Sequence, residues 1–437
     1  MQVNEETHGS RNVRRTRGRP YSFAAIAASV ALVLAGCAAG DNVEGSDTPE
    51  PSNSATEETT LSVWHYFSED NQVAVMDGMK DIFEDGNPDV TVENVYIPYD
   101  QMASKLVSAA AADEGPDVVV FNGGEAANYV LSGVLQSLDD YWAAYEEQEQ
   151  FPDGVFLRVD GSMHGVQGYV NLLGLWYNKD ILEEIGVEPP TTIAELETAM
   201  EAAKVAGYGG ITLTGMPNGQ SEWQAYPWLT SFGFDYANPE EGPLIEGYQM
   251  VKGWVDSGYL SAEAATWDQT VPFQQFAAGG IAFAENGNWQ RGTAEGTADF
   301  EWGVVPLPVL KDKGQIYLGG EGQGIGAFSK NPDLAWKYLT ETYMSPDGQL
   351  LASGLAGSIP TRLDVASLPE IAESEFLSAF TATIAAGGAP YPSAEIAPDV
   401  VADVFLLGGQ AWSSVIGGAA TPEEAAQTLI SEIARLQ

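Results

Sequence analysis

Apolar and polar positions alternate along the chain in a way that predicts strands and helices in turn. Residues 61–66 form an apolar run typical of a buried strand, and residues 71–83 repeat apolar side chains at helical spacing. A second strand and helix are predicted at 90–97 and 102–112, and the very apolar run 117–121 is a third strand. Strands that alternate with helices predict an α/β fold built on a parallel sheet with both faces covered.

The second half of the chain continues this alternation and marks its helix starts clearly. Thr192 with Glu195 forms a capping box, Asn331–Pro332 precedes an amphipathic helix, and Thr421 with Glu424 begins the last helix. We therefore predict the same α/β architecture through to the last helix.

Polar and aromatic side chains follow two of the predicted strands. Trp64, His65 and Tyr66 close the first strand, and Asn122 and Glu125 come directly after the third. In parallel sheets, ligands bind in the crevice beyond the carboxyl ends of the strands. We expect these two groups to share one crevice, and the sequence leaves open which of the first three side chains faces it.

The N-terminal segment has the layout of a secretory signal. Five arginines lie within residues 11–19, and an apolar run at 23–34 follows. This run is shorter than the roughly 20 residues that a membrane-spanning helix needs. Arg14–Arg15 leaves a twin-arginine export route open beside the general one, although the residues that should follow such a pair are missing.

Cys37 is the only cysteine in the 437 residues, so it has no partner for an internal disulfide. The preceding Leu34-Ala35-Gly36 and Cys37 together resemble the lipobox of bacterial lipoproteins. That resemblance implies that Cys37 carries two acyl chains and becomes the mature N-terminus, which is sufficient for stable membrane anchoring. The alternative is a cysteine buried in a core.

Residues 37–60 are rich in Ser, Thr, Pro, Asp and Glu and contain almost no large apolar side chains. Such a segment buries too little apolar surface to offset the entropy of ordering it. We predict a disordered acidic tether between the membrane and the folded part.

The charge balance narrows the range of partners. The chain has 62 acidic and 18 basic residues, a net charge of −44. Binding to nucleic acid or other polyanions depends on clustered Lys and Arg, so nucleic acid is not expected as a partner. A neutral or cationic small ligand fits better.

Motifs for common cofactors are missing or incomplete. The glycines at 322–327 lead into a predicted strand, whereas a dinucleotide site needs a helix N-terminus there. Residues 85–90 resemble the start of a calcium loop, but Val90 replaces the required glycine. We expect no cofactor, no metal and no catalytic residues.

Six segments occur in an order that points to a known family. They are PDVVVFNGGEAANYVLSGVLQSLDDYW, GLWYNKDILEEIGVEPPTTIAEL, FAAGGIAFAENGNWQ, WGVVPLPV, GGEGQGIGAFSKNPDLAWKYLTETYMSPDGQ and GSIPTR. In this order they resemble the family-1 extracellular solute-binding proteins of ABC transporters, the maltose-binding-protein-like group. The likeness runs from about residue 60 to the C-terminus.

This resemblance implies two α/β lobes of the type II periplasmic-binding-protein fold. The chain would cross between the lobes near residues 165–168, 315–319 and 345–350. The expected division is a signal segment at 1–36, the tether at 37–60, an N-terminal lobe at 61–166 plus 317–347, and a C-terminal lobe at 167–316 plus 348–437.

The same resemblance implies a function. A sugar, expected to be an oligosaccharide, would bind between the lobes, close them, and pass to the permease subunits of an ABC importer. The protein would be a monomer held by lipid on the extracellular face of the cell membrane.

A sugar needs flat aromatic platforms and in-plane carboxylates, amides or an arginine. Trp289 suits a platform because it follows an apolar strand in a Gly- and Asn-rich turn. Glu321, Arg362 and Trp412 are carried over from the resemblance, and Trp412 is equally compatible with a helix core. The full candidate set is Trp64, His65, Tyr66, Asn122, Glu125, Tyr169, Asn171, Trp223, Asn288, Trp289, Glu321, Arg362 and Trp412.

Other readings stay open at this point. The acidic balance suits a polyamine, and a peptide receptor is possible on the same fold. A secreted glycoside hydrolase also needs aromatic side chains and two carboxylates in a cleft. A surface adhesin is a further alternative.

Overall fold

The predicted alternation of strands and helices is present in the computed structural model, which describes residues 59–309, 314–391, 393 and 396–436. The signal segment, Cys37 and nearly all of the tether lie outside the described residues. The strands are β1 Thr59–His65, β2 Val90–Tyr96, β3 Val118–Asn122, β4 Phe156–Val159, β5 Ser162–Val166, β6 Tyr169–Val170, β7 Leu173–Asn178, β8 Gly209–Thr212, β9 Ile281–Gly287, β10 Trp302–Val305, β11 Ile316–Leu318, β12 Glu321–Ile325, β13 Ile359–Pro360 and β14 Gly388–Pro390.

The helices cover more of the described chain than the strands do. They are α1 Asp70–Gly86, α2 Tyr99–Ala110, α3 Ala126–Leu131, α4 Asp139–Ala144, α5 Lys179–Ile185, α6 Ile193–Ala206, α7 Gly219–Ser231, α8 Glu241–Asp256, α9 Thr270–Ala277, α10 Arg291–Thr297, α11 Pro332–Glu341, α12 Pro346–Ala356, α13 Leu363–Ala366, α14 Pro369–Ala372, α15 Glu375–Gly387, α16 Val401–Ile416 and α17 Pro422–Leu436. None of these helices is both long enough and apolar enough to cross a membrane.

Two of the predicted helix starts have the expected side-chain caps. Thr421 Oγ1 accepts from the Glu424 backbone amide at 3.2 Å, and Glu424 accepts in return from the Thr421 amide at 3.0 Å. Thr192 Oγ1 likewise accepts from the Glu195 amide at 3.2 Å, whereas Glu195 reaches back to the amide of Thr191. Each cap satisfies backbone groups that have no partner within the helix.

Two mixed sheets form the centres of two lobes. The first sheet has the order β2-β1-β3-β12-β5-β4, and the second has the order β10-β7-β9-β8. β1, β2 and β3 are parallel as predicted, but β12 runs antiparallel to β3. The expectation of a wholly parallel sheet is therefore wrong, because strands enter both sheets from distant parts of the chain.

Both faces of the first sheet are buried, as its apolar strands predict. Val118 and Val120 on β3 pack into one cluster with residues of α1 and α11, while Val119 and Phe121 pack on the opposite face. Successive side chains of a strand point to opposite faces, so an uninterrupted apolar run fits a strand that is covered on both sides.

The second lobe is built around buried tryptophans. Trp176 on β7, Trp228 on α7, Trp254 on α8 and Trp412 on α16 all belong to its core and are at most 1% exposed. Large aromatic side chains bury much apolar area each, so these four contribute strongly to the stability of this lobe.

The chain passes from one sheet to the other after β5 and returns between β11 and β12. Hydrogen bonds tie the passing segments together. Thr361 Oγ1 donates to the carbonyls of Gln167 and Gly168 at 2.9 Å, and the Gly168 amide donates to Gln323 Oε1 at 2.8 Å. Gln349 accepts from the amide of Thr361 at 3.1 Å. The connecting segments are therefore joined by buried polar contacts.

Residues 348–356 were assigned by sequence to the second lobe, and the structure corrects this. They belong to α12, whose Ala352 and Ala356 pack with α1 in the core of the first lobe. The helix begins at Pro346, within the predicted crossing, but the chain leaves the first lobe only after Ala356. Nothing in the sequence indicated this placement, because the resemblance put a crossing at 345–350 where the structure has a helix of the first lobe.

Candidate functional site

A cavity of about 460 Å³ lies between the two lobes. Tyr66, Asn122 and Glu125 line it from the first sheet, where they follow the carboxyl ends of β1 and β3. Trp223 and Trp289 line it from the second lobe. The crevice that the sequence predicted beyond two strand ends is thus present, and the second lobe covers it.

Glu321 is the buried polar centre of the cavity wall. Its Oε1 accepts from the Tyr66 hydroxyl at 3.0 Å, and its Oε2 accepts from Asn171 Nδ2 at 3.0 Å. Burial raises the pKa of the Glu321 carboxyl from an ordinary 4.5 to about 7, while its hydrogen bonds from Tyr66 and Asn171 partly oppose that shift. Both carboxylate oxygens are therefore held in fixed directions at the boundary between the lobes.

Asn288 lies on the side of these hydrogen bonds that faces away from the cavity and fixes the orientation of Asn171. Its Nδ2 donates to Asn171 Oδ1 and to the Gly357 carbonyl, both at 2.9 Å, and its Oδ1 accepts from the Leu172 amide at 2.8 Å. Asn171 is thereby locked with its amide nitrogen turned toward Glu321. Asn288 is fully buried and does not line the cavity.

Aromatic rings form much of the cavity wall. Tyr66 and Tyr99 meet edge to face with ring centroids 5.1 Å apart, and Trp289 lies half-buried on the opposite lobe. The carbonyl of Trp289 is 3.5 Å from Asn71 Nδ2 at the start of α1. Trp223 packs so closely over Gly319 that a Cβ at residue 319 would overlap its indole ring.

Two polar side chains after β3 are positioned by their own neighbours. Asn122 Oδ1 accepts from the Gly124 amide at 3.0 Å, which fixes the turn that opens toward the cavity. Glu125 accepts from the hydroxyls of Tyr99, at 3.4 Å, and Tyr129. Burial raises the pKa of the Glu125 carboxyl, and the two tyrosine hydrogen bonds lower it.

The electrostatic character of the cavity is acidic. Glu69, Glu125, Asp268 and Glu321 all line it, and among the described lining residues none is Lys, Arg or His. No group of three or more His, Cys, Asp or Glu side chains in the described part of the chain is arranged to hold a metal ion. The cavity offers hydrogen-bond acceptors and aromatic faces, and no positive charge to an anion.

The family described as Bacterial extracellular solute-binding protein matches residues 78–379, which is more than half of the chain. The chain belongs to this family. Its members are extracellular proteins that bind solutes.

Relatives and solved structures agree with this assignment. The maltotriose-binding protein of Pyrococcus abyssi is 24% identical over 336 residues, 73% of this chain and 70% of the relative. Maltodextrin-binding protein MdxE of Bacillus subtilis is 24% identical over 338 residues, 72% of this chain and 75% of the relative.

Among solved structures, the GacH receptor of Streptomyces glaucescens superposes with a TM-score of 0.76 at 24% identity. That match covers 87% of this chain and 98% of GacH. Maltose-bound MalE3 of T. maritima gives a TM-score of 0.75 at 22% identity and covers 87% of this chain and 100% of MalE3. The two-lobed fold of this solute-binding protein is therefore that of the periplasmic-binding-protein group.

The structure decides which of Trp64, His65 and Tyr66 faces the cavity, a question that the sequence left open. Tyr66 lines the cavity, whereas Trp64 packs beside the core under α2 and α3. His65 is buried next to the rings of Phe67 and Tyr96, and burial lowers its pKa to about 4. Trp64 and His65 are thus corrected to structural positions, because consecutive residues of a strand point to opposite faces and both faces of this sheet are covered.

Tyr169 lies one layer behind the cavity. It is buried against Tyr343 and lines a void of about 10 Å³ beside Asn171 and Glu321. Tyr169 and Asn288 therefore support the residues that line the cavity and do not line it themselves, which corrects their assignment as ligand contacts.

Arg362 has no free face toward the cavity. Its guanidinium donates to Asp364 from Nε at 3.0 Å and from Nη2 at 2.8 Å. Its Nη1 donates to Glu147 at 2.8 Å and to the Met344 carbonyl at 3.0 Å. This buried arginine joins the segment after β13 to the first lobe. Its assignment as a ligand-binding residue is corrected to an interlobe anchor.

Trp412 is also corrected. It is 0% exposed in the core of the second lobe, where its Nε1 donates to the Thr214 carbonyl at 3.2 Å. The late aromatic residues that do reach the cavity are Tyr391 and Phe405.

Several cavity residues escaped the sequence analysis. They are Ser68, Glu69, Gln72, Tyr99, Gln220, Asp268, Gln269, Thr270, Gln290, Thr293, Tyr391 and Phe405. Most of them lie in the first turn of a helix or just before one, as Gln72 does in α1 and Gln220 in α7. A search for polar residues at predicted helix starts, in addition to strand ends, would have found these.

Proposed function

We propose that this solute-binding protein captures an uncharged oligosaccharide in the interlobe cavity and delivers it to the permease of an ABC importer. The observation that carries the proposal is the pairing of aromatic rings with fixed hydrogen-bonding groups in one cavity. Trp289, Trp223 and Tyr66 supply faces, and Glu321 and Asn122 supply acceptors in defined directions.

The physical match to a sugar is close. A pyranose has an apolar C–H face that packs on an aromatic ring and a rim of hydroxyls that hydrogen-bond to carboxylates and amides. The cavity takes its aromatic side chains from both lobes, so a ligand that touches Tyr66 and Trp289 together stabilises the closed arrangement of the lobes. The names of MdxE and of the maltotriose-binding protein support an α-glucan as the first class to test.

The acidic lining favours a second candidate, a polyamine. Four carboxyl groups face the cavity and none of its described lining residues is basic, so a di- or triamine would find counter-charges there. The aromatic faces fit the C–H face of a pyranose, and the same rings would attract an ammonium group through cation–π contacts, so the binding screen includes both classes of ligand.

The remaining parts of the proposal concern the whole chain. Cys37 would carry the lipid, and the acidic segment up to residue 60 would tether the monomeric binding domain to the outer face of the membrane.

A binding screen tests the proposal directly. Purified protein is titrated with maltotriose, cellotriose, chitotriose and spermidine, first by thermal shift and then by calorimetry. A true ligand at 100 times its dissociation constant adds about 2.7 kcal/mol to the free energy of unfolding. Binding of a neutral trisaccharide with recovery of the unchanged sugar supports the proposal.

A matched anionic sugar tests whether the cavity discriminates against negative charge. Trigalacturonic acid should bind at least tenfold more weakly than the neutral sugar that binds, because the cavity offers its carboxylates no cation. Tight binding of spermidine with no response to any sugar would overturn the proposal in favour of the polyamine.

A further inference from the structure

Tyr391 occupies an unusual place in the cavity. It follows directly after β14, whose residues pair with β11 just before the chain returns to the first lobe at Gly319 and Gly320. Its hydroxyl lies 3.3 Å from Asn122 Oδ1 on the first lobe. One side chain of the second lobe thus spans the cleft to a residue at the carboxyl end of β3.

The ring of Tyr391 is held by three aromatic side chains of the second lobe. It lies parallel to Phe405, with an interplanar angle of 6° and a centroid distance of 5.6 Å. Trp223 meets it edge-on at 4.4 Å, and Tyr317 lies at 5.1 Å. Offset parallel and edge-to-face geometries in this distance range are attractive, so the ring has a defined resting place.

The first lobe is shaped to receive this ring. Gly124 faces the Tyr391 hydroxyl so closely that a Cβ at residue 124 would overlap the phenol oxygen. Asn122 and Gly124 both line the cavity beside Tyr391. The glycine therefore leaves room for the tyrosine tip between the lobes.

The surroundings of Tyr391 have the composition that a sugar ring requires. Phe405 offers a flat face parallel to the bound ring, Trp223 closes one side, and Asn122 offers an amide oxygen to a hydroxyl. A phenol ring and its hydroxyl fill these roles in the same way as a pyranose face and one of its hydroxyls would.

We infer that Tyr391 occupies an additional sugar subsite and so limits the length of oligosaccharide that the cleft accepts. This inference rests on the proposed function. A longer sugar must either displace Tyr391, losing its contacts to Phe405 and Asn122, or leave its extra ring in solvent. In both cases the added ring contributes little to affinity.

Calorimetric titration with maltooligosaccharide and chitooligosaccharide series of two to seven rings tests the inference. In the wild type, affinity should stop rising with length after the first few rings. In Tyr391→Ala the extra ring enters the vacated space, so the preference for the longest over the shortest bound sugar should increase at least tenfold, equivalent to about 1.4 kcal/mol.

Two further variants distinguish the effect of the Tyr391 ring on length preference from the effect of its hydroxyl. Tyr391→Phe keeps the ring on Phe405 and loses only the contact to Asn122, so it should retain the wild-type length preference. Tyr391→Ala combined with Phe405→Leu keeps the space but removes the flat face, so it should lose most of the gain for long sugars. Thermal unfolding of each variant confirms that it is folded at the titration temperature.

The outcomes distinguish the inference from the proposed function. If the wild type binds sugar but Tyr391→Ala keeps the wild-type length preference, the inference is wrong and the proposed function stands. If Tyr391→Phe shifts the preference as far as Tyr391→Ala, the ring does not block the subsite and the inference is wrong. If the wild type binds none of the neutral oligosaccharides, cellotriose included, both fail together.

Discussion

The hydroxyl of Tyr66 donates to Oε1 of Glu321 at 3.0 Å, although 255 positions separate the two residues in the chain. Tyr66 follows β1, and Glu321 begins β12 after the chain has returned from the second lobe. Their contact places a hydroxyl and a carboxylate side by side in the cavity wall, next to the segment that joins the lobes. A change at Glu321 should therefore affect both the stability and the ligand affinity of the protein.

Replacing Glu321 with Gln should change how stability depends on pH. Burial raises the pKa of the folded carboxyl from 4.5 to about 7. Between those two pH values the unfolded chain releases a proton that the folded protein keeps. The wild type should therefore lose up to about 3 kcal/mol of unfolding free energy from this group as pH rises from 4.5 to 7, with no further loss above.

Urea unfolding of the wild type and Glu321→Gln at several pH values between about 4 and 8 measures this contribution. Glu222 and Glu285 are also buried with raised pKa values, but they are present in both proteins and cancel in the difference. Identical pH slopes for the two proteins would show that Glu321 keeps an ordinary pKa.

Trp289→Ala should weaken sugar binding and leave folding nearly unchanged. The indole is half-buried at the cavity wall, so its loss removes a ligand platform without opening a hole in a core. Loss of a central aromatic anchor costs about 2 kcal/mol or more of binding free energy, about thirtyfold in Kd. Calorimetric titration and thermal unfolding of this single variant check both parts. Normal affinity with a sharply lowered melting temperature would contradict the assignment.

Trp412→Ala should behave in the opposite way. Trp412 is fully buried in the second lobe, so truncating it leaves a cavity and costs about 3–5 kcal/mol of unfolding free energy. At a temperature where the variant is folded, its Kd for sugar should match that of the wild type. A variant with wild-type stability and lost binding would return Trp412 to the list of ligand contacts.

Cys37→Ser should release the protein from the membrane or leave it unprocessed. Leu34-Ala35-Gly36 and Cys37 follow a basic head and an apolar run, and without the thiol no acyl chain can be attached. Membrane fractionation and detergent partitioning of the wild type and the variant measure the effect. Ser54→Ala in the acidic tether is a matched control and should remain in the membrane fraction. Detergent-dependent anchoring of Cys37→Ser equal to that of the wild type would rule out the lipid.

Much of the fold could be predicted from local patterns. The strand at 61–66 and the helix at 71–83 are confirmed as β1 Thr59–His65 and α1 Asp70–Gly86. Helical spacing, apolar runs and capping residues are properties of a few neighbouring positions, so they predict helices and strands independently of how distant parts of the chain pack. The parallel arrangement of the first three strands was predictable for the same reason, because helices connect them.

The site was only partly predictable, and the reason differs from residue to residue. Tyr66, Asn122 and Glu125 could be anticipated because the ends of parallel strands share one edge of a sheet. Tyr391 could not, because no strand-end or helix pattern distinguishes it from a loop tyrosine. Trp412 entered the candidate set through the family resemblance, and the structure selects the alternative of a helix core, which depends on the elements that pack against α16.

By itself, the sequence determined the order of strands and helices, the α/β class and the aromatic and amide residues available for a site. The tertiary structure alone decided that β12 inserts antiparallel beside β3, which brings Glu321 to Tyr66. It also decided that α16 turns Phe405 toward the cavity and Trp412 into the core. Secondary structure depends on interactions between neighbours in the chain. Whether a side chain faces the core or the cavity depends on which distant element packs against it.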